Sequence, residues 1–194
     1  VQATVTEPHF GLRVVSWLMQ GVHAVGMGAG LAVYIPYATG GAGAGPGSAE
    51  DVVAQRGAPI CLMHSIADPE TMQAHAAYDN VLLDVYDHLA ERIAFAEAAG
   101  ISRDKIIVDP GIGFAKTLDH NLALVRGLSL FHGLGCPMLL GASRKRFIGT
   151  LADEPQAQAR MPGSVAVALA GVSQGAQILR VHKTHGHGNL GHVC

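Results

Sequence analysis

Four short apolar runs stand out along the chain: Ile60 to Met63, Ile106 to Val108, Met138 to Leu140 and Ile178 to Val181. Each fits a buried β-strand. Longer amphipathic segments lie between them. From Tyr78 to Ala99 the apolar residues Val81, Val85, Leu89 and Ile93 recur every four positions, which predicts a helix with one buried face. Gly100 follows as a C′ glycine and ends it. Leu122, Val125, Leu128 and Phe131 predict a second helix, and the Ala- and Val-rich stretch from Ser164 to Gln174 a third. Strand and helix alternate at intervals of roughly 30 to 45 residues, the pattern of parallel βα units. Runs this apolar suit a parallel sheet covered on both faces.

The two ends do not follow this rhythm. Residues 1–48 are rich in Gly and Ala and close with Thr39-Gly-Gly-Ala-Gly-Ala-Gly-Pro-Gly47, which reads as a linker. It has neither GxGxxG nor a Gly-Lys pair to cradle phosphate. No secondary structure is predicted there. Residues 183–194 are mostly His and Gly, without periodicity.

Composition narrows the class. Hydrophobic residues make up 49% and charged ones 14%, with mean hydropathy +0.28, so the chain can build a core and is far too apolar for disorder. A net charge of −2 and a pI near 6.6 give no sign of a nucleic-acid partner. Cys61, Cys136 and Cys194 are widely spaced without a CxxC, as expected of free thiols in a reducing cytosol. The N-terminus has no basic region ahead of an apolar run, and the apolar stretch from Val14 to Ile35 is broken by Gly, His, Gln and Ser. The expectation is a soluble, cytoplasmic protein without a membrane span or membrane partner.

Chemistry gathers where the apolar runs end. The first leads into His64-Ser65, the second into Asp109-Pro-Gly-Ile-Gly-Phe114, the third into Gly141-Ala-Ser143-Arg-Lys145, and the fourth contains Arg180 and ends at His182. Parallel strands put their C-terminal ends on one rim, and in βα barrels that rim is catalytic. A carboxylate, a hydroxyl, cations and a histidine are therefore expected around one mouth. Arg180 and His182, two residues apart on a strand, point to the same side. Arg180, His182 and Lys145 suit a phosphate or pyrophosphate, and the Asp109 carboxylate suits the paired N–H groups of an amidine-like edge. Each has a second reading. Asp109 could cap a turn before Pro-Gly. Ser143 to Lys145 could open a solvated helix, Arg180 could serve a structural ion pair, and Met63 could be core.

These motifs resemble those of the dihydropteroate synthases. Asp109-Pro-Gly-Ile-Gly-Phe-Ala-Lys116 is similar to that family's DPGxGFxK segment, followed by its His120-Asn121. Gly141-Ala-Ser-Arg-Lys145 is similar to its GxSRK, and Arg180-Val-His182 to its RVH. Leu62-Met63-His64, with Pro69, Thr71-Met72-Gln73 and Tyr78-Asp79, resembles the segment after its fifth strand. The likeness covers residues 49–182 and implies about the last four βα units of a TIM-barrel-like (βα)8 fold. It implies a transferase of folate biosynthesis that joins 6-hydroxymethyl-7,8-dihydropterin pyrophosphate to p-aminobenzoate. By the same likeness Asp109, Lys145, Met63 and Gly141 would bind the pterin. Arg180 and His182 would hold the pyrophosphate, and Ser143 and Phe114 the p-aminobenzoate, which sulfonamides mimic. A homodimer and Mg²⁺ are also implied, although the Asn that would hold the metal is not recognisable in residues 1–48. Residues 183–194 do not resemble the family's continuation. Their His185, His187 and His192 could bind a transition metal or have no role. The alternative to the transferase is an inactive remnant that binds only pterin or a partner chain, its half-barrel edges left exposed.

Overall fold

Among the described residues the elements run β1 (Arg13–Trp17), β2 (Ala24–Met27), β3 (Gly30–Tyr37), α1 (Ala49–Arg56), β4 (Ile60–His64), α2 (Val81–Ala98), β5 (Ile106–Asp109), α3 (Leu118–Arg126), β6 (Leu139–Leu140), α4 (Arg146–Ala152), α5 (Met161–Ser173) and β7 (Ile178–His182). The computed structural model describes residues 13–17, 24–27, 30–37, 49–65 and 76–182, with backbone alone for the first three segments and for residues 49–52. The Thr39–Gly47 stretch, residues 66–75 and the tail with His185, His187, His192 and Cys194 lie outside the described residues.

The four apolar runs are strands, parallel to one another. β4 pairs with β5, a single parallel bridge from Val108 to Met138 joins β5 to the start of β6, and β6 pairs with β7. Three strands fall where the sequence predicts no structure, and two of them take the free edges of this set. β3 pairs in parallel with β4, Tyr37 opposite His64, and β1 pairs in parallel with β7, Trp17 opposite His182. β2 turns back antiparallel on β3. The edges of β4 and β7, expected to be exposed, are therefore covered by strands of this same chain.

Alternation along the strands sorts the core into two layers. Ile60, Leu62, Ile106, Val108, Met138 and Leu140 face the helices and join the larger core, with Val85, Leu89 and Phe131. Cys61, Met63, Ile107, Leu139 and Ile178 face the other way and form a smaller cluster against Phe114. The one-residue offset decides which strand positions can reach a ligand.

Helix ends show where periodicity alone misplaces boundaries. α2 starts at Val81, not Tyr78, because Asn80 is extended (φ −145°) and its side chain accepts hydrogen bonds from the N–H of Leu82 and Leu83. It ends as expected at Gly100, which has φ +93°; Gly100 N–H bonds to Glu97 O and Ile101 N–H to Ala96 O, the Schellman arrangement. The second predicted helix is two elements. α3 stops before Gly127, and Leu128–Leu134 continues as a 3₁₀ helix burying Leu128, Phe131 and Leu134. Apolar residues three apart satisfy a period of 3.0 as well as one of 3.6. No described helix is long and apolar enough to cross a membrane.

Candidate functional site

The inward positions at the ends of four strands are Met63, Asp109, Gly141 and Arg180. Met63 stands opposite Asp109 across the β4–β5 pair. Met63 is 2% exposed and packs in the inner cluster, so its core role is real and coexists with a place on this face. Asp109 is 1% exposed, and its Oδ1 accepts the N–H of Gly111 at 2.8 Å. It thus caps the turn, as one reading held, and still presents its carboxyl group on the inner face. Gly141 lacks a side chain where Arg180 needs room: a Cβ there would lie 2.7 Å from the guanidinium Nη2.

Lys145 reaches into the same space. Its Nζ lies 3.6 Å from the centroid of the Phe114 ring, a cation–π contact. Burial, then the Arg180 charge, lowers its pKa, Asp109 pulls the other way, and the balance is about 8. Both Asp109 and Arg180 also act on the buried thiol of Cys61: burial raises its pKa well above the ordinary value, Asp109 adds to this and Arg180 opposes it. Asp109, Lys145, Arg180, Gly141 and Phe114 are therefore one cluster. His182 lies at the exposed rim, and its imidazole pKa is lowered by burial and then by Arg144, Arg180 and Lys145.

Ser143 departs from expectation in detail. It lies ahead of α4, whose N-cap is Lys145, and its Oγ accepts the N–H of His182 at 3.3 Å. Its hydroxyl thus joins the third and fourth strand ends.

His64 does not join the mouth. As an even-numbered residue of β4 it faces the helices, its ring edge-on to His88 at 4.9 Å between centroids and 3% exposed. Its Nδ1 lies 3.0 Å from Nζ of Lys116, which also donates to Phe114 O at 3.0 Å. Burial, with the Lys116 charge behind it, holds His64 neutral with a pKa of about 2. Burial likewise lowers Lys116, Asp109 opposes this and Lys145 adds to it, leaving a pKa of about 7.

The loop from Asp109 to Thr117 is fastened from this outer side. Asn121 Oδ1 accepts Gly113 N–H at 2.6 Å, and its amide donates to the carbonyls of Lys116 and Thr117. Tyr78 donates its hydroxyl to Ala115 O at 3.0 Å. Gly111 has φ +70°, and a Cβ on it would fall 1.9 Å from His64 O, so no other residue fits. The sequence motif contains Lys116 and Asn121 but does not reveal that they act on the loop from beneath. The Arg160 and Ser164 contacts to the Lys145 loop have no sequence signal.

A family model described as pterin binding enzyme matches residues 41–182. The chain is 44% identical over 137 residues to the dihydropteroate synthase of Escherichia coli (strain K12), covering 71% of this chain and 48% of that protein. It is 48% identical over 139 residues to the dihydropteroate synthase of Neisseria meningitidis serogroup B, covering 70% and 49%. The chain thus spans about half the length of the curated relatives it matches. Among solved structures, dihydropteroate synthase from Thermus thermophilus in complex with 6HMPPP superposes with TM-score 0.70 at 37% identity, covering 78% of this chain and 59% of that one. The same enzyme in complex with 4-aminobenzoate gives 0.66 at 41% identity, covering 70% and 55%.

Proposed function

The chain belongs to the pterin binding enzyme family, and from that premise we propose that it carries the C-terminal half of a dihydropteroate synthase active site, the last four βα units of an eight-fold barrel. The reaction would join 6-hydroxymethyl-7,8-dihydropterin pyrophosphate to p-aminobenzoate. The observation that carries this reading is the cluster of Asp109 and Arg180 on the inner strand face with Lys145 from the loop after β6, and Phe114 under the lysine.

Asp109 would accept the 2-amino and ring N–H hydrogens of the pterin. Lys145 would donate to its ring heteroatoms, with Met63 and the Gly141 backbone against the ring. Arg180 and His182 would take the pyrophosphate, and the Ser143 hydroxyl and the Phe114 ring the p-aminobenzoate. The amine nitrogen attacks the pterin methylene carbon as its bond to the pyrophosphate oxygen breaks. The electron pair leaves with pyrophosphate, and the amine proton goes to solvent. Cations fixed beside the departing group stabilise the charge that builds there, without a covalent enzyme intermediate.

Mg²⁺ on the pyrophosphate is part of this proposal; among the described residues no group of three or more His, Cys, Asp or Glu could hold a metal by itself. A homodimer and a cytoplasmic location belong to the same proposal, and the exposed Met161, Val165 and Leu169 of α5 offer an apolar surface for the dimer.

Two measurements test the reading together. One is product formation from both substrates with Mg²⁺ present; the other is calorimetric binding of the dihydropterin pyrophosphate. Turnover supports the transferase, binding without turnover supports a remnant that recognises pterin, and neither rejects the site.

A further inference from the structure

The loop that presents Ser143 and Lys145 holds a backbone conformation its sequence disfavours. Lys145 N–H bonds to Ala142 O at 3.2 Å, closing a four-residue turn, and the third residue of that turn, Arg144, has φ +59°. Glycine or asparagine usually fills such a position. For an L-residue with a side chain the bias against it amounts to about 5- to 30-fold in population.

Two residues further along grip both sides of the strained unit. Arg144 N–H donates to Ser164 Oγ at 2.9 Å, and that hydroxyl donates onward to Arg160 O at 2.7 Å. Arg160 returns to the loop through Nη1, which donates to Arg144 O at 3.1 Å. The rest of its guanidinium bonds to Glu154 O through Nε at 2.9 Å and to Pro155 O through Nη2 at 2.6 Å. It lies so close to α4 that a Cβ on Gly149 would fall 2.4 Å from Nε. Backbone carbonyls accept all three bonds, so the side chain acts as a brace between α4, the start of α5 and the loop. Ser143, Ser164 and Arg180 line one small pocket, which places the brace directly behind the site.

We propose that Arg160 and Ser164 are positioning residues: by holding Arg144 left-handed, they aim the Lys145 amine over Phe114 and keep the Ser143 hydroxyl against the His182 backbone. Its consequence for catalysis rests on the transferase reading above; its geometric content does not.

The test uses the full chain and the Phe114 ring as the probe. An amine 3.6 Å above a ring centroid carries its neighbouring methylenes into the shielding cone, so the parent shows upfield-shifted Lys145 δ and ε protons by NMR. Ser164→Ala and Arg160→Gln each lose most of that shift while the spectrum stays dispersed. Ser164→Thr, which keeps the hydroxyl, retains it. Adding Arg144→Gly to Ser164→Ala restores part of it, because glycine tolerates the conformation. A global loss of stability would produce neither rescue. If Arg160→Gln does not fold, Ser164→Ala decides. Folded Ser164→Ala with the parent's Lys145 shift, or a parent without an upfield shift, overturns the proposal. If the shifts behave as stated but the parent binds neither p-aminobenzoate nor the pterin, the latch stands and the transferase reading falls.

Discussion

Lys116 and Lys145 flank the same loop, and both are buried cations with lowered pKa values, about 7 and about 8. Their surroundings differ. Lys116 lies on the helix side, 4% exposed, with Phe114 O and His64 Nδ1 both at 3.0 Å. Lys145 lies on the inner side, over the Phe114 ring and near the opposed charges of Arg180 and Asp109. The first has its donors directed at the fold; the second is held beside a carboxylate and an arginine on the face where a ligand would bind. A strong pKa displacement therefore marks both a structural lysine and a candidate ligand-binding one, and only the partners tell them apart.

The largest expected effect separates them by function. Lys145→Ala and Arg180→Ala should each cost roughly 2–4 kcal/mol in kcat/KM while the fold is retained. Steady-state kinetics beside urea denaturation checks this. Parent-like turnover in both variants would break the assignment.

Lys116→Met should behave oppositely. It strands the Phe114 carbonyl and the His64 nitrogen and should lower unfolding free energy by about 1–3 kcal/mol. A shifted Phe114 would raise KM for p-aminobenzoate more than it lowers kcat.

A pH series sharpens the contrast. His64 stays neutral in the fold down to about pH 2, whereas in the unfolded chain it takes up a proton near pH 6.5. Below pH 6.5 the unfolded state binds more protons, so stability falls as pH falls, by up to about 1.4 kcal/mol per unit from this group. His64→Gln, which keeps an acceptor for Lys116, should flatten that slope in chemical denaturation between pH 6.5 and 4.5. An unchanged slope would show that His64 does not set it.

The smallest effect belongs to Met63→Leu. A volume-conserving swap in the inner cluster should cost less than about 1.5 kcal/mol of stability. If Met63 contacts pterin, the affinity for the dihydropterin pyrophosphate falls while that for p-aminobenzoate holds, which calorimetry resolves.

Much of this was legible in the residues. The strands at Ile60, Ile106, Met138 and Ile178, the buried stripe of α2 and the Gly100 stop follow from local patterning. The gathering of Asp109, Lys145 and Arg180 follows from parallel strands sharing one rim. β1 (RVVSW) and β3 (GLAVYIPY) were not legible, because neither alternates apolar with polar residues and both gain their place by pairing with β7 and β4. The split at Gly127 was hidden by a spacing that two helix types share.

By itself the sequence determined which residues could be buried and which strand ends would carry charge, because periodicity and hydropathy act over a few neighbours. Tertiary structure decided the rest. It turned His64 away from the mouth, set Lys116 beneath the loop and Lys145 above it, and brought Arg160 from sixteen residues away to hold Arg144. Those outcomes depend on which face of a strand meets which layer and on hydrogen bonds between distant segments, and neither has a local signature for the chain to display.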